Sequence, residues 1–130
     1  MKFARSGMKA WLVFLGGGSG AVLRYLVGIG MGRWSQHFPA GTFLINVSGS
    51  FLLGLLFGLT YAGEFRHERE LTLLLGTGVL GGYTTFSTFE LEGYRLLAGG
   101  HGGAALGYLL ASVLAGLAAV ALGAWIGHRL

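Results

Sequence analysis

The sequence predicts an all-α membrane protein of four transmembrane helices, the third broken near its middle, and three observations carry that prediction. Of 130 residues, 53% are hydrophobic and only 11% charged, with a mean hydropathy of +0.66. An average soluble domain is about one quarter charged. The apolar residues fall into four long stretches, and a bilayer crossing takes about 20 such residues. Glycine accounts for 26 positions, close to three times its usual share of about 7%. One proline and no three-residue glycine period exclude a collagen-like rod, and the apolar content excludes disorder. With no cysteine there is no disulfide, thiolate metal site or cysteine nucleophile. Four crossings and short links use the chain up, so its function is expected within the membrane.

The first apolar stretch runs from Trp11 to Met31, after Lys2, Arg5 and Lys9 and before Arg33 and Trp34. Its length and the Arg24 inside it argue for a retained span rather than a signal peptide. The second, Thr42 to Ala62, carries no charge and follows the only proline, Pro39, a natural helix entrance. Glu64 to Glu70 then places five charges in seven residues, a polar hairpin that belongs in water or headgroups. The third stretch, Leu71 to about Leu97, is interrupted by Gly76, Gly78, Gly81 and Gly82, then by Tyr83-Thr-Thr-Phe-Ser-Thr-Phe89, and ends in Glu90, Glu92 and Arg95. It reads as a discontinuous helix. A flexible link, Gly99 to Gly103, precedes the uncharged fourth span, Ala104 to Ile126. The spans, approximately 11–31, 42–62, 71–97 and 104–126, make one transmembrane domain over 1–130.

Four spans put both termini and the hairpin on one side. That side holds Lys2, Arg5, Lys9, Arg66, Arg69 and Arg129 against Arg33 and Arg95 on the other. The excess favours cytoplasmic termini but is modest, so insertion both ways stays open. The net charge of +4 fits anionic headgroups rather than nucleic acid. Small residues recur four apart in Gly16/Gly20, Gly28/Gly32, Gly54/Gly58, Gly78/Gly82 and Gly123/Gly127. Such faces let helix backbones approach in lipid. Thin helices leave little interior in 130 residues, so a solute path calls for at least a homodimer.

Polar residues inside the spans are candidate sites, since each is costly in hydrocarbon without a partner or water. Thr42, Asn46 and Ser50 share one helix stripe that continues into Gly54 and Gly58. The Asn46 amide either lines a site or bonds a neighbouring helix as structural glue. An unwound stretch near Gly81 and Gly82 frees carbonyls, which suit a hard cation, while the nearby hydroxyls and the amide can donate to an anion. Phe86 and Phe89, three apart, either pack or turn their positive ring edges into a passage. Tyr108 and Ser112 form a possible hydroxyl track that Gly116 continues. Arg24 either snorkels to the interface or draws anions into a vestibule.

Gly17-Gly-Ser-Gly20 with Arg24-Tyr25, Gly41-Thr-Phe-Leu-Ile-Asn-Val-Ser-Gly-Ser50, and Gly81-Gly-Tyr-Thr-Thr-Phe-Ser-Thr-Phe-Glu90 resemble the Fluc (CrcB) fluoride channels of bacteria over nearly the whole chain. The resemblance implies an antiparallel, dual-topology homodimer in the bacterial cytoplasmic (inner) membrane, passively exporting fluoride and protecting against its toxicity. It assigns Asn46 as the pore amide, Phe86 and Phe89 as the ring pair, and Thr85 and Thr88 as adjoining hydroxyls. Tyr108 and Ser112 become the polar track and Arg24 the vestibule arginine. The main-chain carbonyls of Gly81 and Thr84 would hold a structural sodium ion at the dimer centre, with no organic cofactor. Gly116 stands where family members often carry another hydroxyl.

The rival class is a proton-coupled small multidrug exporter, which needs an ionisable group in the membrane. This chain has no aspartate, and its glutamates are expected in the hairpin or at the end of the third span. An enzyme is not expected: no histidine and carboxylate share a span, and His67-Glu68 reads as solvated surface.

Overall fold

A chain this apolar must satisfy its backbone within helices, because hydrocarbon offers no hydrogen-bond partners. A computed structural model of the protein describes residues 2–35, 38–61 and 68–130. Among these, every regular element is helical: α1 (Lys2–Gly30), a 3-10 turn (Gly32–Trp34), α2 (Ala40–Tyr61), α3 (Glu68–Leu71), a π-helical segment (Thr72–Leu80), α4 (Gly81–Tyr83), α5 (Phe86–Ala98) and α6 (Gly102–Gly127). Among the described residues, three helices are long and apolar enough to cross a membrane, within Lys9–Gly30, Ala40–Tyr61 and Gly102–Gly127. The 22 residues of α2 extend about 33 Å, matched to a hydrocarbon core of about 30 Å. Of the charged hairpin, Glu64 to His67 lie outside the described residues, and Glu68 onward is already helical.

The exposure pattern inverts that of a soluble protein. Trp11, Phe14, Tyr25, Phe57, Leu114 and Leu117 all face outward, and the buried apolar set among the described residues is Ile45, Leu80, Phe89, Ala105 and Tyr108. Lipid, not water, is the medium such a surface suits.

Two close crossings organise the molecule. In the first, α1 meets the π-segment and α4: a Cβ on Gly16 would strike the Leu74 carbonyl, on Gly20 the Val79 carbonyl, and on Gly82 the Gly17 carbonyl. In the second, α2 meets α6, where a Cβ on Gly54, Gly58, Gly123 or Gly127 would strike a carbonyl of the facing helix. Four of the five glycine pairs therefore lie at backbone contacts, the usual source of adhesion in lipid. A Cβ on Gly28 or Gly32 would meet nothing within 4 Å.

The expected flexible link at Gly99–Gly103 is instead a tight reversal. Gly100 takes φ +79°, the His101 N–H donates to the Leu96 carbonyl at 2.9 Å, and the Gly100 N–H to Leu97 at 3.0 Å. This is a glycine-terminated helix end, in which a left-handed residue lets orphan carbonyls find donors. The next helix starts at once, at Gly102.

Candidate functional site

Between Tyr83 and Phe86 the helix stops. Thr84 has ψ 160° and Thr85 has φ −150°, ψ 119°, both extended. Thr85 then caps α5, its Oγ1 accepting the Thr88 N–H at 3.3 Å and donating to Thr88 Oγ1 at 3.1 Å. That is the ordinary N-cap of a threonine. Gly49 on α2 makes room for the break, because a Cβ there would strike Thr84 Cγ2.

Asn46 holds the break in place. Its Oδ1 accepts the Thr85 N–H at 2.8 Å and its Nδ2 donates to the Thr85 carbonyl at 3.0 Å. In an unbroken helix that N–H would serve the Gly81 carbonyl, so the Gly81 oxygen loses its helical donor. Of the amide's hydrogens, one remains for anything else. The bonds of Asn46 are those of a structural tie between α2 and the break.

A cavity of about 330 Å³ lies against the break, lined by Asn46, Ser50, Thr84, Thr85, Phe86, Phe89 and Ser112 among others. No charged side chain lines it among the described residues. The Phe86 and Phe89 rings stand 5.9 Å apart at 43°. Phe89 is buried, whereas Phe86 is 69% exposed. Ser112 Oγ is buried and has no hydrogen-bond partner.

Arg24 turns inward: its Nη1 donates to the Thr84 carbonyl at 3.1 Å. It lines a second cavity, about 490 Å³, with Thr42, Thr85, Thr88 and Glu92. Thr85 is common to both cavities.

Glu92 has partners that sequence reasoning did not foresee. Its carboxylate accepts from Thr42 Oγ1 at 2.9 Å and from Tyr108 Oη at 2.8 Å, joining α5 to α2 and α6. Tyr108 is fully buried, with its ring against Phe89 and Phe38 at 5.2 and 5.4 Å, and its hydroxyl proton is committed to Glu92. A stripe signal existed for Thr42 and for Tyr108 separately. Nothing in the spacing joined them to a glutamate beside Arg95.

Residues 11–124 match the family described as CrcB-like protein, Camphor Resistance (CrcB). The chain belongs to this CrcB family. Among its relatives, the fluoride-specific ion channel FluC 2 of Yersinia pseudotuberculosis is 43% identical over 120 residues, covering 89% of this chain and 94% of that protein. The FluC 2 of Brucella abortus is 46% identical over 123 residues, with 89% and 92% coverage. The FluC of a Methylobacterium species is 47% identical over 113 residues, with 85% and 89% coverage. The CrcB relatives are named as ion channels, which is not an enzyme class.

Proposed function

We propose that this CrcB protein is a fluoride-selective channel of the bacterial cytoplasmic membrane, a dual-topology antiparallel homodimer of four-span protomers that drains fluoride passively from the cell. The third crossing is α3 through α5, with the break at Thr84 and Thr85 inside it. The observation that carries this reading is the cavity beside the break, where amide, hydroxyl groups and phenylalanine rings converge without a full charge. The names of the relatives agree with it.

The geometry supplies a physical route. Arg24 on the wall of the second cavity raises the local concentration of anions. Fluoride is small and strongly hydrated, so a selective path must replace its water with donors. A fixed positive charge at the narrowest point would trap it, since conduction needs binding weak enough to leave. The second Nδ2 hydrogen of Asn46, the Ser112 and Thr88 hydroxyls and the positive edges of Phe86 and Phe89 offer dipoles instead. Tyr108, tied to Glu92, shapes the wall more than it donates. Hydrogen fluoride crosses membranes neutral and dissociates in a less acidic interior, so a passive path drains fluoride outward. The high exposure of Phe86 supports a second protomer completing the passage.

The sodium ion fits in part. The Gly81 oxygen, stripped of its helical donor, is the ligand type that suits a hard cation. The Thr84 oxygen already accepts from the Arg24 guanidinium, so it serves sodium only where Arg24 turns away and the partner supplies further oxygens. A sodium ion so held would add positive field near the passage. No step of the fluoride route depends on it.

The multidrug-exporter reading needs a carboxylate free to exchange protons with its cargo, and Glu92 is tied by two donors. Purified protein in liposomes decides the matter: fluoride should leave rapidly and chloride hardly at all. Asn46→Ala and Phe86→Ile each remove a contact of order 1.4 kcal/mol or more and should slow efflux at least about tenfold. Proton-driven cation exchange with no anion leak would overturn the proposal.

A further inference from the structure

We infer that Ser50 contacts the permeating anion, its hydroxyl reached through the space that Gly116 leaves, so that Ser50 and Ser112 form a hydroxyl station one helical turn from Asn46. The inference rests on the channel reading and adds a residue that the family resemblance does not assign.

Hydroxyls in membrane helices usually return to their own backbone. Ser19 bonds the Leu15 carbonyl, Ser48 that of Leu44, Thr60 that of Leu56 and Thr84 that of Leu80, at 2.7 to 3.0 Å. Among the described residues, Ser50 makes no such bond, and Ser112 Oγ is buried without a partner. Both line the cavity that holds Asn46 and the phenylalanine rings. These two uncommitted hydroxyls thus share one cavity, where an unpaired buried donor calls for an occupant.

Gly116 gives the independent argument. On the same helix Gly123 and Gly127 are forced by packing, since a Cβ would strike the Phe51 and Leu55 carbonyls. A Cβ on Gly116 meets only Ser50 Oγ, at 3.6 Å, an ordinary contact. Glycine within a helix is unfavourable, and backbone approach does not explain this one. What its missing methyl provides is access to Ser50. Asn46 has one N–H to spare after holding Thr85, so an anion passing it needs a further donor, and Ser50 is four residues on.

The test is fluoride efflux from liposomes for Ser50→Ala, Ser50→Thr and Gly116→Ala, with Gly107→Ala, whose Cβ meets nothing within 4 Å, as control. Ser50→Ala should slow efflux about tenfold with no shift in thermal midpoint, and Ser50→Thr should restore most of it. Gly116→Ala should slow efflux while leaving Ser50 in place, which decides the matter should Ser50→Ala fold poorly. Wild-type efflux matched by both Ser50→Ala and Gly116→Ala would overturn the role of Ser50 and leave the channel standing. A wild-type protein that releases no fluoride would overturn both.

Discussion

Near the end of α6, Gly123 and Gly127 press so close to α2 that a Cβ would strike its carbonyls, whereas two turns earlier Gly116 has only the Ser50 hydroxyl nearby. One residue type on one helix serves adhesion in the first region and space in the second. In lipid, helices gain little from excluding solvent and hold together by contact. A polar cavity must therefore be kept open by withholding contact locally while adjoining turns close tightly. The α2–α6 pair does both within three turns.

The largest effect expected in the closed region is that of Gly123→Leu. It drives a branched side chain into the Phe51 carbonyl and should destabilise the fold by about 3 kcal/mol or more, read as aggregation on gel filtration in detergent. A monodisperse, fully stable variant would mean that the crossing is looser than described. Tyr108→Phe sharpens the boundary between the regions. It leaves one Glu92 oxygen without its donor and should cost about 1–3 kcal/mol, measured as a lowered thermal midpoint, with the ring stack on Phe89 retained. Gly28→Ala should change stability by no more than about 0.5 kcal/mol, because a Cβ there meets nothing within 4 Å. A large loss of stability would overturn that expectation.

Much of the fold was legible because hydropathy reports span length directly, and the span expected from Thr42 starts only two residues inside α2, while its other end, Ala62, lies outside the described residues. The region of the break could be read from Gly81-Gly82 and the β-branched threonines. That Thr84 and Thr85 are the extended pair depends on Asn46, 39 residues away in sequence, taking both backbone groups of Thr85. The π-winding of Thr72–Leu80 left no periodic signature. There the Gly81 N–H reaches back to the Gly76 carbonyl, five residues before it, a pattern rare enough that no sequence rule predicts it. The partners of Glu92 were not legible, because its contacts with Thr42 and Tyr108 join three helices and leave no mark in local spacing. The same blindness applied to glycine: spacing found the pairs, but which were pressed and which were open depended on their neighbours.

Among the described residues, Thr85 is the one that lines both cavities. Under the channel proposal, where water fills the space on either side, the voltage across the bilayer drops mainly over the wall they share rather than over the full hydrocarbon depth. An ion passing Thr85 would then feel most of the available field in one short step, worth about 2.3 kcal/mol per 100 mV. The hinge of the broken helix would also be the place where membrane potential acts hardest.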